Sequence, residues 1–297
     1  MTEDAPSLVR VRLDLAYDGT DFAGWARQAG GLRTVQGALE GALAVAVGRA
    51  PGPVPRLVVA GRTDAGVHAT GQVAHVDLSE SQLAALVRRR GGGEEAARVA
   101  DRLTGMLAAA GDVVVHRATI APPGFDARFS AVHRRYRYRI ADTTAARDPL
   151  QRRRTLWHPR ALELELLRAA ADPMPGLHDF AAYCRPRPGA TTIRSLQAFG
   201  WDRDADGVLV AEVRADAFCH GMVRSLVGAS LAIGTGRLPP ARMHQLLHAG
   251  ARTGEFATAP AHGLTLVEVA YPADAELTAQ AERTRARRGA EDAPPMG

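Results

Sequence analysis

The sequence predicts an α+β protein: two split β-α-β halves sharing a mostly antiparallel sheet, with helices on one side and a cleft between the halves. Three observations lead there. Short runs with strand periodicity are interleaved with runs of helical periodicity. The order strand, helix, strand, helices, strand of the first half is followed by the same ingredients in the second. No residue-level repeat accompanies this, so a duplication would be one of topology.

In order, Leu8 to Tyr17 alternates, with Val9, Val11, Leu13 and Leu15 on one face and Arg10, Arg12 and Asp14 on the other, which marks a half-buried strand. Tyr17-Asp18-Gly19-Thr20 then turns into Asp21 to Trp25, a turn with aromatic anchors. Thr34 can cap a helix whose buried edge is Val35, Leu39, Leu43 and Val47. Pro51, Pro53 and Pro55 break that pattern, and an apolar strand-forming run, Leu57-Val58-Val59, follows. A second strand is expected at Gln72 to Asp77, helices near Ser79 to Arg90 and Glu94 to Leu107, and a strand at Asp112 to Ala118. Gly91-Gly92-Gly93 between the helices reads as a surface insertion.

The second half offers strands at Arg135 to Ile140, Ser195 to Trp201, Val208 to Arg214 and Leu264 to Tyr271, with helices at about His220 to Ile233 and Ala241 to Ala249. The expected division is 8–118, an N-terminal half of ferredoxin-like or RRM-like type, 125–272, a second such half, and 273–297, a disordered tail poor in large apolar residues.

The chain has 297 residues, 46% hydrophobic and 23% charged, enough for a substantial core. It has no apolar run of membrane-spanning length and no secretory pattern at Met1 to Arg10, so the expectation is a cytoplasmic protein with no membrane partner. Cys184 and Cys219 are too few for a disulfide framework and too isolated for a metal site, and are expected as separate reduced thiols. Lysine and asparagine are absent, which excludes Schiff-base and P-loop lysine mechanisms and Asn-linked glycosylation. A formal charge of +5 favours a polyanionic partner.

The stretch with most chemistry is Ala60 to Asp77, a polar loop between two strands. Gly61, Gly66 and Gly71 permit positive φ and close backbone approach. Within the loop, Asp64 is the single carboxylate, and Arg62 stands two positions before it. A guanidinium beside a half-buried carboxylate favours its charged form, which suits a nucleophilic oxygen. Downstream, His133 to Arg139 interleaves Tyr136 and Tyr138 with Arg135, Arg137 and Arg139, placing rings on one strand face and cations on the other. Phe218-Cys219-His220-Gly221-Met222-Val223-Arg224 opens a helix. His244 and His248 are one helical turn apart but no Glu or Cys joins them, so no metal is expected there. His68 and His75 are expected to be structural or to face the polyanionic partner.

Gly61-Arg62-Thr63-Asp64-Ala65-Gly66-Val67-His68 resembles the signature of the tRNA pseudouridine synthase A family. The resemblance runs from about Val9 to Tyr271, although Ala26 stands where the family usually has Gln. It implies that Asp64 is the nucleophile, that Arg224 pairs with it alongside Arg62, that Tyr136 lies against the target uracil and that Leu264 lines the uridine pocket. It further implies a cofactor-independent isomerase acting on uridines 38 to 40 of the tRNA anticodon stem-loop, and a homodimer. Whether the carboxylate attacks ribose or ring stays open at this stage. A non-catalytic RNA-binding protein is the alternative; a metal-dependent nuclease needs clustered carboxylates that the loop does not offer.

Overall fold

A computed structural model describes residues 7–87, 95–187, 189 and 191–286. These form two compact units, the first taking the described residues up to Ala131 together with Tyr271–Arg285, the second taking Val132–Ala270.

In the first unit, β1 (Leu8–Tyr17) is the middle strand, paired antiparallel with β3 (His68–Ser79) on one side and β4 (Val113–Ile120) on the other. A short strand, β2 (Val58–Val59), pairs with β3. Val11, Leu13 and Leu15 are buried, as the alternation of β1 requires, and each such side chain removed from water contributes roughly 1.5–3 kcal/mol. Helix α1 (Val35–Val47) buries Val35, Leu39, Leu43 and Val47, and its N-cap Thr34 accepts a hydrogen bond from the Gly37 N–H at 3.2 Å. Helices α2 (Glu80–Val87) and α3 (Glu95–Leu107) pack with α1, and α3 lies on β4.

Simple alternation fails on β3, where both faces are largely buried. The reason is the segment Pro122 to Ala131, which covers one face: Phe125 meets the His75 ring edge-on at 6.2 Å, and the Ala127 N–H donates to His75 Nδ1 at 3.0 Å. His75 is therefore a buried structural acceptor. Burial, with the nearby Arg10 charge adding to it, pulls its pKa down to about 4.

The second unit has the strand order β10 (Leu264–Ala270), β5 (His133–Ala141), β9 (Leu209–Ala215), β8 (Ile193–Arg203), β7 (Gly176–Asp179), all antiparallel, with β6 (Leu156–Trp157) added parallel to β5. Helix α4 (Leu164–Ala171) packs on β8 and on α5 (Met222–Gly234). Neither α4, β6 nor β7 was expected from the sequence; β6 and β7 are too short to show a period.

Three expectations need correction. Cys184 and Cys219 are not separate thiols but a disulfide with Cα atoms 5.7 Å apart, because folding brings two segments together that sequence spacing says nothing about. The expected tail is helical over much of its length: a 3-10 turn at Asp274–Glu276 leads into α7 (Leu277–Arg285), which buries Leu277 and Ala281. Leu277 and Ala281 are one turn apart, and the Leu277 carbonyl accepts from Ser130 Oγ at 3.3 Å. The helix expected over Ala241 to Ala249 is α6 (Ala241–Gln245) followed by a 3-10 turn at Leu246–Ala249. The Gly91 to Gly93 insertion and the last part of the tail, 287–297, lie outside the described residues.

Candidate active site

The loop between β2 and β3 holds Asp64 half-buried, with Arg62 exposed and Thr63 between them turned inward and buried. Its shape is imposed mainly from the first unit's buried polar atoms. Tyr17 Oη lies 2.8 Å from Thr63 Oγ1, and Gln72 Nε2 donates both to Tyr17 Oη at 3.2 Å and to the Gly61 carbonyl at 2.9 Å. Gln72 is fully buried, so loss of either acceptor would strand an amide in the core. Burial raises the Tyr17 phenol to about 12, with its hydrogen bonds to Thr63 and Gln72 acting the other way, and it remains a neutral hydrogen-bonding group at physiological pH.

The turn Asp18 to Trp25 supplies the rest of the support. The Trp25 N–H donates to the Thr63 carbonyl at 3.0 Å, and the Gly66 N–H donates to the Phe22 carbonyl at 3.3 Å. Gly24 adopts φ +103°, and a Cβ there would sit 2.9 Å from the Thr63 carbonyl oxygen. A Cβ on Gly19 would collide with the Val67 carbonyl oxygen. Gly66, at φ +76°, then turns the chain into β3. His68 is buried and its Nδ1 accepts the Gly19 N–H at 3.1 Å. Two backbone segments thus lie against each other, leaving the Asp64 side chain partly open to solvent.

Arg62 is exposed two positions before the half-buried Asp64.

Tyr136, Arg224 and Leu264 belong to the second unit. On β5, Tyr136 and Tyr138 share the buried face, and the edge of the Tyr136–Phe218 pair is perpendicular, 88° at a centroid distance of 5.1 Å. In register, Tyr136 stands between Leu266 of β10 and Val213 of β9, and Leu264 stands beside Tyr138. The Tyr138 hydroxyl donates to the Pro260 carbonyl at 2.8 Å, and burial pushes its phenol pKa up, the Arg224 charge pulling weakly the other way. Arg224, in the first turn of α5, donates through Nε to the Ala259 carbonyl at 2.8 Å, and the Ala259 N–H donates back to the Arg224 carbonyl at 3.0 Å. That reciprocal pair holds the chain leading into β10 against α5.

The opposite face of β5 is less basic than its sequence suggests. Arg135 bonds Glu268 at 2.7 Å and Glu212 at 3.3 Å, Arg137 bonds Glu212 at 3.2 Å, and Arg139 bonds Asp204 at 2.9 Å. Carboxylates of the neighbouring strands β9 and β10 and of the turn after β8 occupy the arginines, a pairing that the sequence of β5 alone does not contain. No group of three or more His, Cys, Asp or Glu among the described residues has a metal-holding arrangement, and the rings of His244 and His248 meet edge to face at 5.8 Å.

The supporting residues Tyr17, Thr63, Gln72, Gly19 and Gly24 were not singled out from sequence. The available signal was a glutamine on the same strand row as Ala74, Val76 and Leu78.

The family model described as "tRNA pseudouridine synthase" matches residues 170–272. Over nearly the full length, the chain is 59% identical to tRNA pseudouridine synthase A of Leifsonia xyli subsp. xyli, covering 97% of this chain and 99% of that protein. It is 55% identical to the protein of that name in Frankia casuarinae, over 95% and 96% of the two chains. With the Streptomyces griseus subsp. griseus counterpart the identity is 53%, over 94% of each.

Proposed function

We propose, from the premise that this chain belongs to the tRNA pseudouridine synthase A family and is a tRNA-modifying isomerase, that it converts uridines 38 to 40 of the anticodon stem-loop with Asp64 as nucleophile. The observation that carries the assignment is the construction of the Asp64 loop. A buried network of Tyr17, Thr63 and Gln72 and two glycine contacts hold the backbone, while the carboxylate they present is only half-buried. A rigid mount for a partly accessible acid is what a nucleophile needs and what a structural ion pair does not.

The reaction breaks the N1–C1′ bond of uridine, turns the uracil and joins C5 to C1′, with the C5 proton lost and a proton gained at N1. Product and substrate are isomers, so no redox equivalent or transferred group is required. The carboxylate acts covalently, on the ribose or on the ring, and either route leaves it regenerated. Tyr136 serves as the platform for the uracil, and we assign its phenolic oxygen as acceptor of the C5 proton. Arg224 and Arg62 supply positive charge to the carboxylate and to the extruded nucleotide, an exposed Arg62 side chain being available to RNA phosphate. Leu264 contributes apolar lining for the base. Extruding the nucleotide costs a few kcal/mol, offset by such contacts.

The reading extends to a homodimer acting on tRNA in the cytoplasm, and to units of ferredoxin-like type. In support, each unit has a strand-paired layer with helices packed on it, and no helix among the described residues is long and apolar enough to cross a membrane.

Purified protein incubated with unmodified tRNA, without added metal or nucleotide, is expected to give pseudouridine at positions 38 to 40 when the RNA is mapped. Asp64→Asn is expected to abolish product and largely keep RNA binding. Turnover by that variant near the original rate would overturn the assignment.

A further inference from the structure

We propose that Cys184 and Cys219 form a reversible dithiol–disulfide pair whose state sets how firmly the second unit holds Tyr136. The Cα separation of 5.7 Å lies within the range a disulfide spans without moving backbone. The two ends of the link differ in their surroundings. Cys184 is 1% exposed and ends the 3-10 turn Ala181–Tyr183. That turn is anchored: the Tyr183 hydroxyl donates to the Met243 carbonyl at 2.6 Å and its ring stacks on Phe256 at 5.8 Å. Cys219, by contrast, is half-buried in the irregular segment between β9 and α5.

That segment carries an edge-on partner of Tyr136, Phe218, immediately before Cys219. It is held at its start by Asp216, whose Oδ1 accepts the Ser195 and Ala217 N–H groups at 3.0 and 2.7 Å. At its end, Gly221 takes φ 79° and α5 begins. Between those points the tethers to the rest of the unit include the Arg185 N–H to the His220 carbonyl, 2.8 Å, and the disulfide. Opening the disulfide removes the covalent one of these tethers, so the segment holds Phe218 less firmly and the wall against which the proposed uracil platform rests is weakened.

Closure requires an oxidant, and a low-molecular-weight disulfide such as oxidised glutathione serves. The half-buried Cys219 thiolate attacks it, forming a mixed disulfide and releasing one thiol. The Cys184 thiolate then attacks the Cys219 sulfur and expels the second. Two protein thiols are oxidised to one disulfide, one external disulfide is reduced to two thiols, and the two protein protons pass to the leaving thiolates.

The test equilibrates the full chain against graded ratios of glutathione and oxidised glutathione, traps free thiols by alkylation and identifies linked peptides by mass spectrometry. Both cysteines are expected to disappear in one transition as a 184–219 linked pair. Amide hydrogen exchange of residues 218–222 is expected to slow by at least about tenfold on closure, and kcat/KM on unmodified tRNA to rise by at least about threefold. Cys184→Ser and Cys219→Ser are expected to lose the response to oxidant, with kcat/KM matching reduced wild type, which serves as the reference should a variant fold poorly. Independent glutathione adducts on the two cysteines, or thiols alkylated at every ratio, would overturn the pairing. Closure with unchanged exchange and unchanged kcat/KM would overturn the control of Tyr136. Only the kcat/KM readout rests on the proposed role of Tyr136, so a protein inactive on tRNA in both states is still judged by peptide linkage and exchange.

Discussion

The Asp64 loop and the strand that carries Tyr136, the proposed platform, solve the same problem, fixing one side chain, by different physical means. Asp64 sits on irregular backbone and is fixed by other backbone: carbonyls and amides of the Asp18 to Trp25 turn meet those of Thr63 to Val67, with glycine at the points of contact. Tyr136 sits on a regular strand between two neighbours and is fixed by side-chain packing against Phe218. Backbone contacts tolerate almost no added atom, whereas a packed ring tolerates changes that keep its shape. The two sites should therefore fail differently.

Gly19→Ala should have the largest effect. Its methyl would meet the Val67 carbonyl, and relief requires moving the loop, so we expect a stability loss of about 2–4 kcal/mol together with a fall in kcat. Denaturant melts and single-turnover rates check this; a variant as stable and active as wild type would show that the loop is not held by that approach. At the platform, Tyr136→Ala should weaken productive tRNA use by about 1–3 kcal/mol, the range for stacking a base on an aromatic ring. Tyr136→Phe should keep most of the stacking and separate it from any proton-transfer role of the hydroxyl. Equal losses in both variants would mean that the ring itself contributes little.

The smallest effect at neutral pH is expected beneath the first unit's sheet. His75 has a folded pKa of about 4 against an ordinary value of 6.5. Between those values the unfolded chain takes up a proton that the native state refuses, so stability falls as pH drops from 6.5 and reaches a loss of about 3 kcal/mol near pH 4. Above 6.5 the term vanishes. His75→Gln, which can still accept the Ala127 N–H, should flatten that part of the profile relative to wild type. Identical slopes from pH 7 to 4 would show that His75 is not held neutral by its burial.

Much of the fold was legible because its strands and helices carry strong periodicity. β1 and α1 appear within the bounds their apolar spacing suggests, and Thr34 caps where its side chain predicts. The candidate nucleophile was legible through a local motif. What escaped was non-local: the cover of β3 by Phe125 and Ala127, the pairing of Arg135 and Arg137 with Glu212, and the joining of Cys184 to Cys219 across 35 residues. Each depends on a partner far away in sequence, and no spacing rule within one segment contains that information. The short elements β6 and β7 escaped for a different reason, since two to four residues cannot display a period.

The return of the chain's end to its beginning has a consequence for synthesis. Tyr271 donates its hydroxyl to the Ala127 carbonyl at 2.7 Å and packs on Phe125 at 4.9 Å, while Leu277 of α7 is buried in the same unit. The second unit is therefore inserted, topologically, into the first. A ribosome must deliver the whole insert before the opening segment can acquire its last buried contacts, so during translation the part made first is the part finished last.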